Sequence, residues 1–453
     1  MSGYVLKQAF LHRNRFEGQR DEGTSGSFDI LRAVAEINIY ESIFVAYLTG
    51  SVVIADTSAL SSTINFQGQE TIRLVWNVGD VEYDRTFYVY GVSAAVRGDN
   101  DTSQTYVLQI IEEHAYLSAF KHMRGSSVGN IADIIANTLS SKLDMDMEGV
   151  EFEQADQSVR VTENNRTPLE LCEWLVERAT SLYGEPMFLY SSITGGIAFR
   201  SLGTMMMDFP WEENEPFILT SLPAASVAET RRHELNQILT ISVPENDDII
   251  AVARSGALKS QYYSVDPFSR SVDTVEFSAI AHFEAKKEAG RTLYPNTMFD
   301  DHFDINGTKI VDMDSTFASQ INTSGMYDGA LAYDEERDPS KHRVKISRTS
   351  DLVLLEKDRF DIVVYGDRFG DTAGKVRAVG TTVDLIVPKT QPSYTASSHT
   401  VDQKRSGKFL ITHMRHIFDP LTDDYTIACT VARIGTPDDI NSRTREENEH
   451  RPT

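Results

Sequence analysis

RTPLELCEWLVERATSLYGEPMFLY, residues 166–190, is the most sharply punctuated stretch of a chain that otherwise alternates polar and apolar residues. Thr167 is placed to cap a helix, Pro168 takes its first position, and Glu170 follows three residues after the cap, where a capping box puts its carboxylate. Leu171, Cys172, Leu175, Val176 and Ala179 recur at helical spacing and form the expected buried stripe, flanked by Trp174. Gly184, just before Pro186, is a stop signal. A β-hairpin is expected next, MFLYSS and IAFRSL around a turn at residues 194–196.

Upstream the period is two. In TIRLVWN, Ile72, Leu74 and Trp76 alternate with Thr71, Arg73 and Val75, and RTFYVYGV and TYVLQII continue the pattern. With DILRAVAEINIYESIFVAYLTGSVVIAD before them, these runs predict a small antiparallel sandwich or β-barrel over residues 28–122, taken here as the first barrel. Residues 1–27 are mostly polar and read as an N-terminal arm with a GTSGS joint. RGSSVGNIADIIANTLSSKL switches to helical spacing, with Val128, Ile131, Ile134, Ile135 and Leu139 on one face behind a cap at Ser126 or Ser127. This helix, a short strand or surface connection over residues 145–165, the capped helix and the hairpin make an α+β insert over residues 123–218.

Residues 219–345 form a mixed connecting region: LNQILTISVP and DIIAVARSG read as strands, SAIAHFEAKKEAGRTLY as a helix ending near Gly290, and PSKHRVKISRTS as polar alternation. From residue 350 strand character returns in DLVLLEKDRFDIVVYGD, GTTVDLIVP, GKFLITHMRHIF and DYTIACTVARIG, a second small barrel over residues 346–436. Residues 437–453 are a polar tail. The fold class expected is mainly β with an α+β insert.

At 453 residues the chain is long enough for two to four cores. Its 41% apolar and 24% charged residues suit a folded protein, and the net charge of −24 disfavours nucleic acid or anionic membranes as partners. No apolar run approaches the ~18 residues a bilayer requires, and the N-terminus lacks a signal-peptide core, so a soluble protein made in the cytosol is expected. Cys172 and Cys429 fall outside any metal or redox spacing, and Cys172 lies on a helix face suited to burial.

Chemistry is sparse. DDHFDINGTKIVDMD, residues 300–314, mimics part of a calcium loop through Asp304, Asn306 and Gly307, yet from His302 the twelfth position would be Met313, so a turn tipped by Asn306 and Gly307 is favoured. His413 and His416, three apart on a strand, point to opposite faces and read as ordinary surface or interface histidines. GDRFGDTAGK, residues 366–375, lacks the spacing that would let it cradle phosphate and reads as a loop despite Lys375. Met205–Met207 fit a core or interface. No GxSxG, HExxH or Cys/His signature is present, so no catalytic, cofactor or metal residues are assigned and no enzyme is expected.

The order of parts, with TPLELCEWLVERATSLYGEPMFLY, VGTTVDLIVP and SGKFLITHMRH as its marks, resembles the tail hub family of contractile-tailed phages. That family includes the tube-like hub of T-even phages, the late tail protein of P2-like phages and the N-terminal part of type VI secretion spike proteins. The resemblance implies a homotrimer whose six barrels form a pseudo-six-fold ring, joining a six-fold tail tube or tube-initiator protein to a three-fold central spike. Edge strands would pair between neighbours, baseplate wedge proteins would surround the ring, and DNA would pass an acidic channel without specific binding. No needle-like β-helical repeat follows the second barrel in this sequence, so the spike is expected to be a separate polypeptide. A virion protein of the tail baseplate, assembled in the host cytoplasm, is the expected setting. The alternatives are a tail-associated carbohydrate-binding protein using Trp76, Tyr88 and Tyr90, or a cell-wall hydrolase.

Overall fold

The computed structural model describes residues 4–13, 26–58, 60, 64, 66–79, 81–97, 103–194, 196–207, 216–219, 236–242, 248–266, 270–297, 304–313, 316–321, 339–366, 378–388, 401–402 and 405–436. The loop around Lys375, residue His302 and the C-terminal tail lie outside them. The first β region runs β1 (Tyr4–His12), β2 (Ser27–Asp29), β3 (Val34–Ser42), β4 (Thr49–Asp56), β5 (Thr71–Val78), β6 (Val81–Arg97) and β7 (Gln104–Ile111). The insert follows as α1 (Glu113–Ser118), β8 (Ser126–Asn130), α2 (Ile131–Leu143), β9 (Ser158–Thr162), α3 (Pro168–Val176), β10 (Met187–Ser192), β11 (Gly196–Ser201) and α4 (Leu202–Met207).

The connecting region holds β12 (Phe217–Ile218), β13 (Ile238–Ser242), α5 (Ile249–Arg254), β14 (Lys259–Asp266), β15 (Ser271–Ser278), α6 (Ala279–Glu288), the short hairpin β16 (Asp304–Ile305) and β17 (Thr308–Lys309), β18 (Thr316–Ile321) and α7 (Pro339–Lys357). The last strands are β19 (Arg359–Tyr365), β20 (Thr382–Ile386), β21 (Gly407–Asp419) and β22 (Asp424–Ala432).

The molecule is mainly β with an α+β insert, and its two β regions are one structure. A single sheet runs β13-β19-β22-β21-β3-β4-β7-β6-β5-β1-β2, crossing from one region to the other where β21 pairs with β3 in the register His413 to Ser42 through Phe418 to Ile37. Among the described residues no pairing closes either region into a separate barrel. The sheet curls instead, so that Tyr4 of β1 meets Phe418 of β21 at 4.9 Å between ring centroids and Trp76 of β5 meets the same ring at 5.5 Å. One apolar core therefore spans Tyr4 to Ile434.

A second core lies inside the insert, built by Ile131, Ile135 and Leu139 of α2 against Leu171, Cys172 and Leu175 of α3. The capping box is formed: Thr167 accepts from the Glu170 N–H at 3.3 Å, and the Glu170 carboxylate accepts from the Thr167 N–H at 2.8 Å. That bond to the Thr167 amide is the chief reason the Glu170 carboxyl titrates below its usual range, and it holds despite a small opposing burial effect. Every residue of β10 is buried, because alternate side chains enter different cores. Met187 and Leu189 join the insert core; Phe188 and Tyr190 join the sheet core. The hairpin is thus the seam that bolts the insert to the sheet.

Four local expectations need correction. Tyr4–His12, read as part of a polar arm, is a strand paired with β5, because Tyr4, Leu6, Ala9 and Leu11 supply a buried face. Ser126–Asn130 is a strand paired with β9 and not a helix start; Asn130 caps α2 through the Ala132 N–H at 2.9 Å, leaving Val128 73% exposed. IIAVAR is helical because Asp248 accepts from the Ile250 and Ala251 amides, both at 3.0 Å. Residues 339–357 form α7 and not strands; Ser347, Ser350 and Asp351 occupy its buried face beside Leu354 and Leu355, which hides the helical period from a hydrophobicity count.

Candidate functional site

The crossing from β3 to β21 is the feature no local segment could specify. Along β3, Ile37, Ile39 and Glu41 share the inward phase; along β21, Met414, His416 and Phe418 do. Glu41 and His416 meet there at 2% and 1% exposure. The His416 Nε2 lies 2.9 Å from Glu41 Oε1, and its Nδ1 lies 2.8 Å from the Tyr425 hydroxyl. Glu41 Oε1 also accepts the Ile193 N–H at 3.0 Å, and Oε2 accepts the Val379 N–H at 3.5 Å.

One carboxylate thus ties both halves of the sheet, the tip of the insert hairpin and the segment before β20. The arrangement copies the orienting half of an acid–base pair, but both ring nitrogens are engaged and the site is sealed. Its chemistry is positional.

Further polar bonds fix the insert. Arg85 donates from Nε to the Ile193 carbonyl at 3.0 Å, and Arg348 donates to the Met187 carbonyl at 3.0 Å. Glu112 accepts from the Leu48 N–H at 2.7 Å and from the Ser191 hydroxyl at 3.3 Å. Arg291 donates to Glu185 at 2.8 Å and to Ser201 and Thr204 at 2.9 Å. Glu185 sits against Gly203 so closely that a Cβ there would lie 2.0 Å from its carboxylate.

The exposed face of the sheet carries paired polar groups among open apolar ones such as Val5 and Tyr90. Lys7 meets Glu82, Arg73 forms a two-pronged pair with Asp84 at 2.7 and 2.9 Å, and Arg415 donates to Asn38 at 3.0 Å. A shallow trough crosses this face near the junction, with Tyr40, Asp361, His413 and Thr430 among its walls. The two outermost strands of the continuous sheet, β13 and β2, mark its ends.

His413 and His416 do point to opposite faces, as their spacing requires. His413 lies on the solvent side and stacks on Phe44 at 5.2 Å; the partial loss of water around its ring, with a smaller push from Arg359, lowers its pKa. His416 is no surface histidine, because its phase on β21 delivers it to the core. The Asn306–Gly307 turn forms as a tight hairpin, with φ of 55° and 81° at the two residues. Among the described residues no three His, Cys, Asp or Glu side chains gather as metal ligands.

Both cysteines are buried thiols outside any disulfide, and burial pushes the Cys172 thiol well above its usual range. Met205 and Met206 fill the sheet core, while Met207 faces outward. Trp76 is buried and Tyr88 is stacked under Tyr116 at 4.3 Å, so of the three aromatics singled out only Tyr90 is open to solvent. The sequence pattern does not single out the buried charged groups: Glu41 with His416, Glu185 with Arg291, Asp351 with Lys286 and His282, and Arg433 with Asp358. Their signal was faint, since an isolated charge in a polar helix or at a strand end looks solvated.

No protein-family model matches the chain. No curated protein matches it either. Among solved structures, a tail protein from Neisseria meningitidis MC58 aligns over 96% of this chain and 99% of its own, at 12% identity and a TM-score of 0.51. The 43 kDa tail protein of prophage MuSo2 from Shewanella oneidensis aligns over 96% and 97%, at 10% identity and a TM-score of 0.44. A type VI secretion component of E. coli, described as structurally similar to the T4 bacteriophage tail proteins gp27 and gp5, aligns over 94% and 77% at 9% identity and 0.41. The latter two are too loose to carry an argument. The Neisseria likeness establishes a shared fold along nearly the whole chain, which is the fold that the resemblance to tail proteins led one to expect.

Proposed function

We propose that this chain is the structural hub of a contractile-tail baseplate, a non-catalytic homotrimer joining the six-fold tail tube to the three-fold central spike. The observation that carries this reading is the near full-length likeness to the Neisseria tail protein. Three features support it. Two β regions from one chain lie in a single sheet, so three copies present six β units, which is what a match between three-fold and six-fold parts requires.

The sheet ends in open strands at both sides among the described residues, and strand edges pair readily with a neighbour. Each chain carries a net charge of −24, so a ring of three repels DNA and lets it slide. In this reading the insert braces the ring, the partners are the spike, the tube or its initiator and the wedge proteins, and the assembly resides in the virion tail after forming in the host cytoplasm.

Light scattering after size exclusion, with negative-stain imaging, tests it. The expected particle contains three 50.7 kDa chains and shows a central opening. A chain that stays monomeric at micromolar concentration, and still forms no ring with its spike and tube partners, refutes the hub.

A further inference from the structure

A cleft of about 800 Å³ separates the insert from the corner where β15 turns into α6. The junction and the sheet make no use of it. Asp156, Gln157 and Tyr183 lie on one wall, and Lys259, Glu276 and His282 on the other.

The imidazole is held in place from behind. Its Nε2 lies 3.2 Å from the fully buried Asp351, whose other oxygen takes the Lys286 ammonium. Burial alone would raise the Asp351 pKa, but Lys286 and His282 outweigh it and keep the carboxyl ionised. In the neutral tautomer that donates Nε2–H to that carboxylate, Nδ1 is an acceptor. Its edge faces Gly184: a Cβ built there would stand 3.2 Å from Cε1 and 3.8 Å from Nδ1. Glycine, at φ +75°, makes the turn and leaves the wall uncrowded. Next to it Tyr183 is 46% exposed, with the Arg291 guanidinium 5.1 Å from its ring centroid, and Leu182 is 78% exposed.

The chemistry of the walls selects a ligand class. Two carboxylates and an imidazole lone pair accept hydrogen bonds from hydroxyls and oppose an anion, while Lys259 opposes a cation. An amide, several hydroxyls and an open aromatic ring complete a surface with polar groups on two sides and one stacking platform. We propose that this cleft binds a neutral oligosaccharide, with Tyr183 against the C–H face of a sugar ring and Asp156, Glu276 and His282 accepting from its hydroxyls. The site is separate from the aromatics Trp76, Tyr88 and Tyr90, and it is independent of the hub reading, which a monomer would refute without touching this one.

Saturation-transfer NMR on the full chain tests it, with chitotetraose, maltotetraose and cellotetraose as probes and inositol hexakisphosphate as an anionic control. At least one neutral tetrasaccharide should give a saturable signal, and Y183A and E276A should each weaken it roughly tenfold, the scale of one lost stacking or hydrogen-bonding contact. Y90A, which removes an exposed tyrosine elsewhere, should leave it unchanged, and circular dichroism should match wild type for all variants. The proposal is overturned if none of the three sugars binds at millimolar concentration, if Y183A with a native spectrum binds as wild type does, or if the hexakisphosphate competes for the cleft.

Discussion

Removing the Glu41 carboxylate should destabilise the whole molecule, although it touches no ligand and lies on an ordinary-looking strand. Glu41→Ala leaves the His416 Nε2 and the Ile193 N–H without the partners they now hold at 2.9 and 3.0 Å. The Val379 N–H loses a longer bond of 3.5 Å, counted here as minor. Both main donors sit in a site sealed from water, and an orphaned buried donor costs about 1–3 kcal/mol. The expected loss is therefore roughly 2–6 kcal/mol, a large share of the ~5–15 kcal/mol that holds a typical domain together.

Urea unfolding followed by circular dichroism measures it. With a slope of about 2–3 kcal/mol per molar, the midpoint should fall by about 0.7–3 M. Glu36→Ala is the control, since Glu36 lies on the same strand with its side chain 42% exposed; it gives up the 2.7 Å bond from Asn38 Nδ2, which also reaches Ser51, and should cost about 1 kcal/mol. Hydrogen exchange adds a local readout: the Ile193 amide should exchange faster in E41A than in wild type. The double variant E41L/H416F, which removes a donor together with its acceptor, should recover part of the loss. If E41A unfolds at the same urea concentration as E36A, with the Ile193 amide still protected, the junction does not hold the halves together and the reasoning fails.

Other outcomes follow from the same geometry. Thr167→Ala removes the helix cap and the reciprocal bond partner of Glu170, and should cost about 1 kcal/mol, read as a lower thermal midpoint. Asp351 has its pKa held below the ordinary 3.8, so its contribution is complete above that value and is lost as pH falls through the lower folded-state pKa. D351N should therefore be less stable than wild type near neutral pH, and the gap should narrow in acid below about pH 4; a constant gap across that range contradicts the assignment. Both thiols should resist Ellman's reagent in the native protein and react after unfolding, because Cys172 and Cys429 are buried and burial suppresses the Cys172 thiolate.

The readings that held are those whose causes lie within a few residues of one another. The capping box of α3 needs only Thr167, Pro168 and Glu170, and the β10–β11 hairpin needs two apolar runs and a turn. The alternation in β7 and β22 likewise follows from the period of a strand with one buried face, whereas β5 buries Thr71 and Val75 as well as Ile72, Leu74 and Trp76. Errors arose where the buried face is polar. Ser350 and Asp351 hide the helical character of α7, and Asp351 is tolerated there because Lys286 and His282 come from a helix more than sixty residues away in the chain. His416 could be assigned a face from its phase, yet its role depends on Glu41, its partner across 375 positions.

By itself the sequence determined the local elements, the mainly β composition, the insert and the lack of recognisable catalytic motifs. Only the tertiary structure decided that the two β regions share one sheet and one core, and that β10 divides its side chains between two cores. The reason is physical: caps, turns and side-chain alternation are set by neighbours along the chain. Strand order and buried ion pairs are set by which distant surfaces meet, and a single strand's pattern fits many partners equally well.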